Sequence, residues 1–211
     1  MTTYTDDFNR AELGSDWIKV GNSHWSIESN EIKAAGSSDP DGAVPIIVYS
    51  TPMTSLAQAA EIVFSAASGT TVWMAPNVRS NSASRETYAF NFFESFSISN
   101  IAKIVGSTTT NLLSTSNGEA QDNQLLRLEI SSANVLKSYV NGQLDGEYED
   151  IDAPLENYYT GLSSAPQEFL WARGDDFLAE DMEPASAGPT TPTNLTTTDI
   201  TADSFRAGWT P

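Results

Sequence analysis

VLKSYVNGQLDGEY, residues 135–148, decides the fold. Asn141-Gly142 separates two alternating runs, and this dipeptide is the strongest short-range hairpin signal. Both central residues of a type I′ turn need positive φ, which Asn and Gly tolerate best. A two-residue loop sets the register: Val140 opposite Gln143, Tyr139 opposite Leu144, Lys137 opposite Gly146 and Val135 opposite Tyr148. One face then carries Val135, Tyr139, Leu144 and Tyr148, with the Lys137 stem escaping over a glycine. The other carries Leu136, Ser138, Val140, Gln143, Asp145 and Glu147 and is more polar. Just upstream, LLRLEI (125–130) puts Leu126, Leu128 and Ile130 on one face. These are strands of an antiparallel sheet buried mainly on one side.

Outward from the hairpin, the chain breaks into short alternating runs. Residues 4–9, 16–20, 24–28 and 30–34 read as strands, followed by a turn-rich loop at 36–42. Longer strands are expected at 44–49 and 57–66. A pair at 70–79 and 85–93 is joined by Ser80–Ser84. In the second member Tyr88, Phe90 and Phe92 lie on one face and Ala89, Asn91 and Phe93 on the other, as in a central strand between two packed layers. Weaker strands at 101–105 and 112–114 flank a Gly-Ser-Thr-Thr-Thr turn, and 158–163 and 169–177 follow the hairpin. Many short strands with almost no helical periodicity predict an all-β sandwich.

The run LLRLEI…SYVNGQLDGEYEDIDAPLENYYTGL resembles the late strands of concanavalin A-like jelly rolls, the lectin/glucanase sandwich group. The start agrees: Asp6-Asp7-Phe8-Asn9-Arg10, Leu13-Gly14-Ser15-Asp16-Trp17, Trp25-Ser26-Ile27 and Asn30-Glu31-Ile32. In such domains the closing strand often ends near an Asp-Asp-Phe, here Asp175-Asp176-Phe177. The resemblance covers roughly residues 4–179 and implies an antiparallel jelly-roll sandwich over residues 1–183. It does not select an activity, since this sandwich hosts lectins, hydrolases, lyases and structural modules alike.

Beyond the jelly roll the composition changes. Residues 184–192 hold three prolines and no core former, which predicts a semi-rigid linker. The stretch 193–211 resembles the opening of a fibronectin type III domain, with Pro192, Leu195, Ile200, Phe205 and Trp209 matching its first two strands. About 70 further residues are expected to complete such a sandwich. The other reading is a Thr-rich tail that pairs with a neighbour.

Composition narrows the chemistry. The 211 residues hold no cysteine, so disulfide frameworks and thiolate metal sites are excluded. One histidine, His24, excludes His-rich zinc sites and argues against a Ser-His-Asp triad; beside Trp25 it reads as a surface or turn residue. No apolar segment follows Met1, and no apolar run approaches about 18 residues. The expectation is no membrane insertion and, taking Met1 as the native start, no ordinary signal peptide. Net charge is −18, and Val140–Ala185 alone holds twelve acidic residues against Arg173. Phosphate would be repelled, so no nucleic-acid partner is expected. The acidity reads either as solubility and repulsion among crowded copies or as a divalent-cation site.

Three constellations bear on function. The glucanase branch of the fold uses carboxylates as Glu-x-Asp-x-Glu, so that all three share one strand face. Here Glu147 and Glu149 share a face, but Ile151 takes the third position while Asp150 and Asp152 point the other way. The expectation is no catalysis. Sugars are held by aromatic faces and planar polar groups, and Trp73, Arg79, Tyr88 and Asn91 fall on neighbouring strands, as a ligand site or as core. Asp6, Asp7, Asp175 and Asp176 come from the two ends of the domain, often close in space. They read as turn caps or as a structural calcium site; no other cofactor is expected.

A jelly roll with a fibronectin type III opening, in an acidic chain without cysteine, resembles bacteriophage virion proteins that decorate tails or capsids. That resemblance implies a non-catalytic structural protein located in the virion and made in the host cytoplasm. Its partners would be other virion proteins, copies of itself and host-surface glycans. The competing readings are a secreted carbohydrate-active enzyme or its binding module, and a purely architectural virion part.

Overall fold

The computed structural model describes residues 2–37, 43–65, 73–92, 98–116, 121–164 and 173–182. The expected linker 184–192 and the fibronectin-like stretch 193–211, with Trp209, lie outside these residues, as do most of the 36–42 loop and Phe93.

Among the described residues, fifteen strands form two antiparallel sheets. They are β1 (Thr3–Asp6), β2 (Trp17–Val20), β3 (Ser23–Glu28), β4 (Glu31–Ser37), β5 (Ile46–Tyr49), β6 (Gln58–Ser65), β7 (Met74–Ser80), β8 (Glu86–Phe92), β9 (Ser99–Val105), β10 (Thr108–Thr115), β11 (Gln124–Ile130), β12 (Val135–Val140), β13 (Gln143–Glu149), β14 (Tyr159–Ser164) and β15 (Arg173–Asp181). The eight-stranded sheet runs β13-β12-β11-β6-β15-β4-β3, and the seven-stranded sheet runs β10-β9-β8-β7-β14-β5-β2. β1 joins the first sheet through β15. At Arg173 and Gly174, β15 pairs with β4; beyond a bulge at Asp176 its Phe177–Glu180 stretch pairs with β1 instead. The two ends of the jelly roll are therefore neighbours, with Asp6 opposite Phe177.

The core lies between the sheets. Ile62, Phe64, Leu126, Leu128, Ile130 and Leu136 from one meet Ile47, Met74, Val78, Tyr88, Phe90, Phe92, Ile101 and Leu162 from the other, all buried. Each such side chain contributes about 1.5–3 kcal/mol by leaving water. β8 is buried on both faces, as its apolar sequence predicts. Gly161 lets β14 and β5 approach: a Cβ there would sit 2.0 Å from the Ile47 carbonyl oxygen.

Three expectations need correction. Thr108–Thr110 is strand rather than turn, because Gly106-Ser107 alone reverses the chain and the threonines extend β10. The closing strand runs on past Asp175-Asp176-Phe177 to Asp181, since the bulge at Asp176 bends β15 without ending it. The third lies in the hairpin. Asn141 and Gly142 take φ of 50° and 75°, and Val140–Gln143 and Tyr139–Leu144 pair as expected. A bulge at Asp145 then shifts the ladder, so Ser138 faces Gly146, Lys137 faces Glu147, Leu136 faces Tyr148 and Val135 faces Glu149. Tyr148 crosses to the face of Leu136, and that face packs inward. Tyr139 and Val135 face outward, with Leu144 55% exposed.

The bulge has a physical cause. Asp145 Oδ2 lies 2.7 Å from Ser99 Oγ, 2.8 Å from Thr115 Oγ1 and 3.3 Å from Ser138 Oγ, and the adjacent Ser99 and Thr115 hydroxyls share their two protons between this carboxylate and each other. β13 and β10 are edge strands of different sheets, so one carboxylate clasps this side of the sandwich.

Candidate functional site

The four residues that read as a ligand site or as core do sit on or next to neighbouring strands: Trp73 just before β7, Arg79 on β7, and Tyr88 and Asn91 on β8. They do not face one way. Arg79 is fully buried and has φ of 48°. Its guanidinium donates to Leu56 O and Leu155 O at 2.9 Å, to Ser131 O at 2.8 Å and to Asn134 Oδ1 at 2.6 Å, tying three loops to one end of the sandwich. Tyr88 points into the core between the sheets. Its hydroxyl donates to Asp150 and accepts from the Leu155 N–H at 3.0 Å. Burial, then the hydrogen bond to Asp150, pushes this phenol far above its ordinary pKa, so it remains a donor.

Trp73 and Asn91 lie on the outer face of the seven-stranded sheet. There the register lines up two rows across the strands: Gly161–Asn77–Ala89–Ala102–Asn111, and beside it Asn91–Asn100–Ser114. Asn91 Nδ2 donates to Asn100 Oδ1 at 2.8 Å and Asn111 Nδ2 to Ser114 Oγ at 2.7 Å; the Ser163 hydroxyl lies 2.9 Å from the Asn77 amide. Asn91 is 3% exposed, and its own Oδ1 has no donor among the described residues. A second apolar cluster, of Val20, Ile46, Val48, Trp73, Ala75, Ala89 and Ile104 with Tyr159 against it, frames the amides. The face is closed in its middle and open at β10, where Asn111 and Ser114 are exposed. None of these positions carries a charge. Sequence reasoning found Trp73 and Asn91 but missed Asn77, Asn100 and Asn111, because only the pairing across four strands brings them together.

The acidic candidates part company. Asp6 is committed: it accepts from Arg10 through both guanidinium nitrogens at 2.6 Å, from the Trp17 indole at 2.7 Å and from the Phe8 N–H at 2.8 Å. Burial alone would raise its pKa, but these donors hold it below the ordinary carboxylate range. Asp7 caps the Asn9 N–H at 3.1 Å, and Asp175 accepts the Asp176 N–H at 2.9 Å, as turn caps do. Burial, followed by repulsion from Asp176, Glu31 and Asp7, raises Asp175. Asp7 and Asp176 reach one cleft of about 550 Å³ with Asp16, Glu61 and Tyr49. Among the described residues no group of three or more His, Cys, Asp or Glu side chains is placed to hold a metal ion.

The run at 147–152 is split. Glu147 pairs with Lys137 at 3.0 Å on the exposed edge strand, and Glu149 is exposed. Asp150 is 3% exposed and pairs with Lys103 Nζ at 2.8 Å. His24 is exposed on β3.

No family model and no curated protein sequence matches the chain. Its fold matches solved structures. The carbohydrate-binding module CBM66 from Bacillus subtilis superposes with a TM-score of 0.63 at 15% identity, covering 78% of this chain and 95% of that one. A Bacillus licheniformis β-glucanase gives 0.62 at 11% identity, over 85% and 98%. The carbohydrate recognition domain of Emp47p gives 0.56 at 11%, over 85% and 94%. The fold is thus the two-sheet jelly roll that these proteins share.

Proposed function

We propose that this chain is a non-catalytic carbohydrate-binding module whose ligand face is the outer face of the seven-stranded sheet. The observation that carries this reading is the uncharged amide and hydroxyl row that opens to solvent at β10, through Asn100, Asn111 and Ser114. Sugar hydroxyls both give and accept hydrogen bonds, and side-chain amides do the same in a fixed plane. A glycan entering over β10 meets the exposed Asn111 and Ser114 first and then the half-buried Asn100, whose side chain the buried Asn91 amide holds in place. Positions 75 and 77 on β7 and 87, 89 and 91 on β8 are Ala, Asn, Thr, Ala and Asn, so the face lacks the paired carboxylates that glycosidic cleavage needs. The kinship of fold with carbohydrate-binding modules supports the same reading. The setting implied by the jelly roll and its fibronectin-like continuation is a virion surface that touches host glycans.

A neutral-glycan array probed with the 211-residue chain tests binding. The expected result is retention of at least one neutral glycan, weakened about ten-fold in Asn100→Ala, the loss of a hydrogen-bonding partner. Retention of none overturns the reading. Cleavage of a bound glycan overturns the non-catalytic part. Searching purified phage particles for this chain by mass spectrometry tests the setting.

A further inference from the structure

The Asp6–Trp17 segment builds a second cleft that the glycan face does not use. It measures about 440 Å³, within the range of small-molecule sites, and opens between β2 and β3, the edge strands of the two sheets. Trp17, Trp25, Leu13 and Ile27 supply its apolar wall. Its parts are fixed in advance. Arg10, clamped on Asp6, donates to the carbonyls of Glu12 and Leu13 at 2.9 Å, which holds the loop wall. The same Asp6 accepts the Trp17 indole N–H. Trp25 is only 4% exposed, yet its indole N–H has no acceptor among the described residues. A buried indole normally finds one, and an unsatisfied buried donor calls for a physical reason.

We propose that this edge cleft binds a single uncharged sugar residue. The exposed edges of Trp17, Trp25 and Ile27 meet one side of the ring, and the Trp25 N–H gives its hydrogen bond to a sugar oxygen. Around it stand Lys19, which only donates, Glu12, which only accepts, and Ser26, which does both. That mixture fits hydroxyls, each both donor and acceptor. An acidic sugar would meet Glu12 and the repulsion of a chain carrying −18.

The test reads the indole N–H signals of the full chain in ¹H–¹⁵N spectra, with the Trp25 signal assigned by its loss in Trp25→Phe. Methyl glycosides of glucose, galactose and mannose, N-acetylglucosamine and fructose are titrated to about 50 mM, well above millimolar affinity. At least one should shift the Trp25 signal saturably. Lys19→Ala, an exposed change that spares the fold, should weaken that binding about five-fold, as loss of one hydrogen bond does. Asn100→Ala should leave it unchanged, which separates this cleft from the glycan face. Glucuronate is titrated alongside these sugars; no saturable shift with any neutral probe, a shift given only by glucuronate, or one indifferent to Lys19→Ala overturns the proposal.

Discussion

The Tyr88 hydroxyl donates to Asp150 Oδ2 across 2.5 Å, joining residues 62 apart in sequence. Lys103 Nζ reaches the same oxygen at 2.8 Å and also donates to the carbonyls of Asp152 and Ala153. Together with the Leu155 N–H on the Tyr88 oxygen, this buried network pins the segment after β13 onto the seven-stranded sheet. Tyr88 is thus a clasp rather than a sugar platform. Tyr88→Phe should destabilise by about 1–3 kcal/mol, because it strands the Leu155 N–H and removes one donor from a buried carboxylate. Urea unfolding checks this, and glycan binding should persist in the folded variant.

Acid should loosen the same clasps. Burial alone would raise Asp6, Asp150 and Asp181, but hydrogen bonds outweigh it: Arg10 and Trp17 on Asp6, Lys103 and Tyr88 on Asp150, Thr54 and the Ser55 N–H on Asp181. A carboxylate whose folded pKa lies below its unfolded value stabilises fully above the unfolded value and loses that contribution as pH falls through the folded one. Stability from these three should hold above about pH 5 and fall progressively below the ordinary value of 3.8. Asp175, raised by burial and by Asp176, works the other way, and its protonation above 3.8 relieves repulsion. Melting temperatures between pH 2.5 and pH 7 read the sum, and Asp6→Asn with Asp150→Asn should flatten the acid limb.

In the hairpin, Gly142 has φ of 75° and open space around it, so a side chain there costs only backbone strain. Gly142→Val should cost about 1 kcal/mol or more. Asp145→Ala should cost about 1–3 kcal/mol by leaving the Ser99, Thr115 and Ser138 hydroxyls without their shared acceptor. Thermal melts compare the two, and an unchanged melt in Asp145→Ala would contradict the edge clasp.

Arg79→Met should destabilise by about 3 kcal/mol or more, since three backbone carbonyls and Asn134 Oδ1 lose their donor in the interior. Hydrogen exchange should rise first around residues 131–134 and 155, the segments that Arg79 holds. Equal loss of glycan binding and of fold would agree with this structural role. Loss of binding with unchanged stability would return Arg79 to the ligand site.

The sequence alone determined the strand inventory and the class. Alternation and turn dipeptides are local, and Asn141-Gly142 announces its own backbone geometry, so the turn and the first two hairpin pairs were legible. The core of β8 was legible too, because a strand apolar on both faces has nowhere else to go. What the sequence did not carry is whatever depends on a partner far along the chain. The Asp145 bulge exists because Ser99 and Thr115 come from the opposite sheet, and it reverses which face of β13 carries Tyr148. By residue type Arg79 and Tyr88 read as ligand groups or, for Tyr88, as core, and only their acceptors at Ser131, Asn134 and Asp150 make them struts. Asn77, Asn100 and Asn111 are scattered polar residues until the register of β7 to β10 sets them in rows. Local conformational preference is written residue by residue. Whether a polar side chain is free to meet a ligand or already satisfied depends on which donors and acceptors the tertiary fold brings within about 3 Å of it.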